Sequence, residues 1–136
     1  MASGLTLLIG FEREKAHKAA GMRTHMIVGG FTCLIILLSS PLMKSMMGTK
    51  TVEADPIRII QAVVIGVSFI GAGTILKDRN REDIIGLTTA ATLLYSCGIG
   101  VCVSLGYYSL AIALTILILM VNYALRLLLR KFSNLK

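Results

Sequence analysis

Four short segments hold the residues best suited to binding chemistry. Glu12 and Arg13 are adjacent, and Arg23 and Thr24 follow about ten residues later. Gly71 and Gly73 flank Ala72, and Thr88 and Thr89 come shortly after Gly86. Gathered at one place, they would combine arginine charge, hydroxyls and the free N–H groups of a helix start. Such a combination binds anions, because unpaired N–H donors and the helix dipole both favour negative charge. The ligand class would be a phosphate-bearing molecule, a lipid headgroup or an acidic partner. In this reading Glu12 orients the arginines, and the glycines permit close approach. In the plainer reading Thr88 and Thr89 only cap a helix, while the arginines neighbour anionic lipid. Residue types alone support the two equally.

Other candidates carry less chemistry. Asp55, Pro56 and Arg58 form a group in which Asp55 caps a helix, Pro56 occupies its first turn and Arg58 anchors at headgroups. Glu53 and Asp55 could instead hold Mg²⁺, but Lys44 and Lys50 nearby weaken that site. Cys33, Cys97 and Cys102 are odd in number, lack CxxC spacing and fall in apolar sequence, so they read as small hydrophobes. His17 and His25 read as interfacial. No nucleophile–base pair and no metal-ligand set is visible, so neither an enzyme nor a bound cofactor or metal is expected.

The elements that must position these residues are long apolar runs. Residues 26–43, 59–76, 84–106 and 107–125 contain no charged side chain. Each is close to the roughly 20 residues that cross a hydrocarbon core of about 30 Å. Apolar all round, they read as helices, which alone among open structures satisfy their backbone within lipid. Residues 1–11 cover only about half a bilayer at about 1.5 Å per residue. They read as the end of a longer helix whose start is missing, with a half-span as the alternative. The expected fold is therefore an all-α, polytopic transmembrane bundle of about five spans in a single domain over residues 1–136.

Composition agrees. Of the 136 residues, 55% are hydrophobic and 15% charged, and the net charge is +7. Average soluble domains carry roughly 25% charged residues, so a soluble enzyme and a disordered regulator are both excluded. Eleven of the 14 basic residues fall in the segment 12–25, the segment 77–83 and the tail from Arg126. Basic connections stay in the cytoplasm, which puts the N-terminus outside and the C-terminus inside. The positive charge is thus an orientation signal, and no nucleic-acid partner is expected. With no ionisable group in the four apolar runs, a proton-coupled pump is disfavoured. Small residues such as Ser68, Ala72, Ser96, Gly100 and Ser104 suit close helix packing in lipid.

Five motifs, in order, resemble the MgtC/SapB family of bacterial inner-membrane proteins. They are Gly10-Phe11-Glu12-Arg13-Glu14, Ala20-Gly21-Met22-Arg23-Thr24-His25, Asp55-Pro56-Ile57-Arg58, Gly66-Val67-Ser68-Phe69-Ile70-Gly71-Ala72-Gly73 and Gly86-Leu87-Thr88-Thr89-Ala90-Ala91. The resemblance covers about residues 10–106 and implies a five-helix hydrophobic domain. It also implies a link to growth in low Mg²⁺, survival inside host cells (virulence) and control of membrane energetics or phosphate handling. Members are thought to act through contacts with other membrane proteins, the ATP synthase among them. Ser68 stands where the family's second glycine is usual, and the chain resembles the short branch without the soluble C-terminal domain. The leading expectation is a non-enzymatic membrane regulator whose cytoplasmic-face cluster docks a partner or an anionic ligand. The alternative is an ion or small-solute (Mg²⁺) transporter with a path between the third and fourth spans, for which a homodimer is one construction.

Overall fold

The computed structural model describes residues 1–46, 55–77 and 83–133, with side chains for all of these except Met46 and residues 126–133. Glu53, Lys50, Arg79, Arg81 and Lys136, and the side chains of Arg126, Arg130 and Lys131, lie outside what is described. Five helices follow in order: α1 (Ala2–Lys15), α2 (Met22–Met46), α3 (Pro56–Ala72), α4 (Leu87–Ser104) and α5 (Tyr108–Ser133). A two-stranded hairpin, β1 (Leu76–Lys77) and β2 (Ile84–Ile85), joins α3 to α4. Met22–Ser45, Leu87–Ser104 and Tyr108–Leu125 are long and apolar enough to cross a membrane. The apolar α3, with 17 residues, meets the lower bound of about 17 for a span. At about 1.5 Å per residue, the 14 residues of α1 reach only about 21 Å.

Local chemistry sets the helix ends. Asp55 caps α3, its Oδ1 accepting from the Ile57 N–H at 2.9 Å, with Pro56 in the first turn as expected. Helix α1 closes by bonds from the Lys18 N–H to the Arg13 carbonyl and from the His17 N–H to the Glu14 carbonyl, both 3.0 Å. His17 takes the left-handed conformation (φ 52°) that this closure needs and that glycine usually supplies. Helix α4 ends the same way, with Gly106 at φ 82°.

The helices also run past the expected ends at residues 11, 43 and 125 and start before residue 59, and three further boundaries shift for a visible local reason. The second span begins at Met22 instead of residue 26, because the Glu14 carboxylate accepts from the Met22 N–H at 3.0 Å and caps α2 from a neighbouring helix. The third ends at Ala72, not Leu76, because Thr74 turns the chain with its hydroxyl on the Gly71 carbonyl (2.7 Å) and Leu76 pairs with Ile85. The fourth begins at Leu87, since Ile84 and Ile85 form the other strand.

Close approaches fix the packing directions. Helices α1 and α2 form an antiparallel pair in which Gly10 lies against Met22, Gly29 against Thr6 and Gly30 against Ser3. Helix α4 runs alongside α2, with Thr92 beside His25 and Gly100 against the Gly29 carbonyl and Thr32. Helix α3 is antiparallel to α4, with Gly71 against Ala90. Two apolar clusters share α4: Ala2, Ile9, Ile99, Val103 and Ala111 on one side, and Ala20, Val28, Val67, Leu93 and Cys97 on the other. Large apolar side chains such as Phe31, Ile65 and Phe69 face outward, while Thr6, His25, Thr32, Thr92 and Ser96 are buried. This inverted distribution fits lipid as the solvent. The buried hydroxyls of Thr6, Ser96 and Thr115 bond back to carbonyls one turn earlier at 2.8–3.1 Å, which lets them sit inside a helix bundle.

Candidate functional site

The packing directions bring the end of α1, the start of α2, the end of α3 and the start of α4 to one end of the bundle. Every residue of the expected cluster lies on these segments. The structure divides them into a buried part and an exposed part.

The buried part is a pair of hydrogen-bonded groups. The Arg13 guanidinium is almost wholly enclosed, with its side chain 5% exposed, and its Nε donates to Glu12 Oε2 at 2.6 Å. Asn122 on α5 donates to the same carboxylate oxygen from its Nδ2 at 3.2 Å. Burying a charge in the bundle is costly unless a counter-charge and hydrogen bonds accompany it, and Glu12 supplies both for Arg13. On the first turns of α2, His25 is fully buried. Its Nδ1 lies 3.0 Å from the Gly21 carbonyl, which can only accept, so this nitrogen carries a proton. Its Nε2 is then the acceptor, 3.3 Å from Thr92 Oγ1, a hydroxyl that also lies 2.9 Å from the Thr89 carbonyl and shares its one hydrogen between the two. The imidazole therefore ties α2 to the first turns of α4. Thr89 is buried in the same region, and Gly71 is buried where α3 meets α4.

The exposed part consists of Arg23 on the first turn of α2, Thr88 on the first turn of α4 and Gly73 just past α3, with Thr24 half-buried beside them. Lys77, on the hairpin at this end, is also exposed. The expected partnership of Glu12 with an arginine is present for Arg13. Arg13 is consequently engaged within the bundle and faces no open surface, leaving Arg23 as the expected arginine that does. Asp55 and Arg58 sit at the opposite end, both exposed, with Arg58 Nε 3.9 Å from Asp55 Oδ2.

The expectation that ionisable groups avoid the spans is corrected here, because α2 starts early enough to include Arg23 and His25. His25, read from sequence as interfacial, is instead an interior helix-to-helix tie. Its signal was spacing: His25, Val28, Gly29, Thr32 and Ile36 are all buried and follow the period of one helix face. Asn122 was missed as a site residue. It continues the buried stripe of Ala111 and Thr115 on α5, but its partner lies 110 positions away. Among the described residues, no group of three or more His, Cys, Asp or Glu is placed to hold a metal ion. The three cysteines are unpaired, with Cys97 buried in an apolar cluster.

Outward-facing apolar helices around an interior of small apolar clusters, hydroxyls and an enclosed ion pair define a multi-pass membrane protein. The chain belongs to the MgtC family, whose model matches residues 1–131. It is 41% identical over 120 residues to YhiD of Escherichia coli (strain K12), a protein whose name refers to magnesium transport, covering 86% of this chain and 55% of that protein. It is 40% identical over 122 residues to the protein MgtC of Salmonella typhimurium (strain LT2), covering 90% of this chain and 48% of that one. An uncharacterized Haemophilus influenzae protein is 35% identical over 120 residues, which is 88% of this chain and 50% of that protein. The chain thus spans about half the length of these relatives. No solved structure matches it.

Proposed function

We propose that this chain is a non-enzymatic regulator of the bacterial inner membrane that acts by docking other membrane proteins at its charged end. The carrying observation is how the polar groups divide. The ionisable groups inside the bundle have partners there, as in Glu12 with Arg13 and Asn122 and His25 with Thr92. Arg23 and Thr88 face outward. The positive-inside rule makes the charged end cytoplasmic, with the N-terminus outside. The family's connection with low Mg²⁺, survival in host cells and membrane energetics or phosphate handling supplies the context, and the ATP synthase is a candidate partner.

The test is complementation of growth in low Mg²⁺ in cells lacking the protein. Arg23→Ala and Thr88→Ala are expected to reach the membrane at wild-type levels yet fail to restore growth. Full restoration by both would reject the docking role. The name of YhiD makes Mg²⁺ transport the competing reading. Purified protein in liposomes that moved Mg²⁺ above the empty-liposome background would favour it.

A further inference from the structure

We propose that the groove between α2 and α3 is a binding site for one anionic phospholipid, with an acyl chain along the groove and the phosphate at Arg58. This proposal is independent of the docking role at the opposite end.

Helices α2 and α3 diverge, because α3 leans on α4 through Gly71, Val67 and Leu93. The trough left between them is lined by Phe31 and Ile35 of α2 and by Ile59, Ala62, Gly66 and Ile70 of α3, among others, with Arg58 at one end. Its walls are almost wholly apolar, and its volume is about 490 Å³. From Arg58 to Ile70 is about 18 Å at 1.5 Å per residue. That length is a little over half of a hydrocarbon core about 30 Å thick, the depth that an acyl chain of one leaflet covers.

The polar end favours negative charge. The Arg58 side chain is 83% exposed, and its guanidinium stands 3.9 Å from Asp55, beyond hydrogen-bond distance. Asp55 is itself committed to capping Ile57. Lys44 is exposed near the end of α2, which lies at the same end of the bundle as the start of α3. Among the described residues, this end therefore presents two cations against one carboxylate. An excess of basic charge beside an apolar trough suits a lipid phosphate, which can sit in the headgroup layer while the chain fills the groove.

Gly66 provides a selective test. A Cβ built there meets no atom within 4 Å, so a larger side chain enters the trough without disturbing the bundle. Detergent-purified protein would be mixed with phosphatidylglycerol or with phosphatidylcholine of identical acyl chains, and retained lipid counted by native mass spectrometry. The wild type should retain phosphatidylglycerol about fivefold better, the preference that one basic residue near a headgroup gives. Arg58→Gln should bring the two lipids level. Gly66→Leu should reduce retention of both about tenfold while melting no lower than the wild type. Equal retention by the wild type, an undiminished preference in Arg58→Gln or wild-type retention by Gly66→Leu would each overturn the proposal. A groove used by a partner helix would show the last of these results.

Discussion

Gly10 is where α1 and α2 come closest, and replacing it by alanine isolates what that contact is worth. A Cβ at Gly10 would lie 2.5 Å from Met22 Cα and 2.8 Å from the Gly21 carbonyl oxygen. Both are backbone atoms, so no side chain can swing aside. Carbon atoms in good contact stand about 3.5–4.0 Å apart, so α1 must retreat by about 1 Å. Such overpacking costs about 1–3 kcal/mol. The retreat also pulls on Glu12, two residues along, whose bond to Asn122 is already 3.2 Å long. Another 1 Å takes it out of hydrogen-bonding range, and interhelical bonds in membranes average about 0.6 kcal/mol. Against this, alanine gains about 1 kcal/mol over glycine in helix propensity. The net expectation is a loss of about 0.5–2.5 kcal/mol, read as a lower unfolding midpoint in detergent micelles. Gly4→Ala is the matched control on the same helix, since its Cβ meets nothing within 4 Å. It should gain up to about 1 kcal/mol from propensity alone. If Gly10→Ala proves as stable as Gly4→Ala, the close packing of α1 on α2 is wrong.

Further substitutions probe three other joints. Glu12→Ala strands the enclosed Arg13 charge and should cost about 3–5 kcal/mol, whereas Glu12→Leu with Arg13→Met should recover most of that loss in the same unfolding assay. His17→Gly should raise stability by about 0.5–1 kcal/mol by relieving the left-handed backbone at the end of α1, measured as an upward shift of the midpoint. Gly86→Ala should lower stability by about 2 kcal/mol or more, because φ is 93° there and a Cβ would fall on the Thr74 carbonyl oxygen; a wild-type midpoint would contradict the hairpin geometry.

Apolar runs and charge placement made the helices legible, because lipid demands long uncharged stretches and helices satisfy it in order. The Asp55 and Pro56 cap was equally plain, since its hydrogen bond spans two residues. What local pattern could not show was anything set by a distant partner. Met22 starts α2 because Glu14 reaches across from α1, so a boundary drawn after the last ionisable residue, His25, falls four positions late. The same shift moved His25 from a presumed interface to the interior. The convergence of the cluster segments at one end followed from alternating helix directions. Which of its residues are buried did not, because Arg13 is enclosed by Glu12 and by its contacts with the bundle. The link between Glu12 and Asn122 crosses 110 positions and leaves no local trace beyond a stripe of small and polar residues.

The claim that the charged end is the docking surface meets its most direct test in native membranes. A photo-crosslinking residue would replace Lys77 or Leu87, exposed at the charged end and outside the docking set, in one set of cells and Ile57, exposed at the opposite end, in another. The account predicts a specific membrane-protein adduct from positions 77 and 87 during growth in low Mg²⁺, lost when Arg23→Ala is added, and none of that kind from position 57. No adduct from positions 77 and 87, or the same adduct from all three, would contradict it.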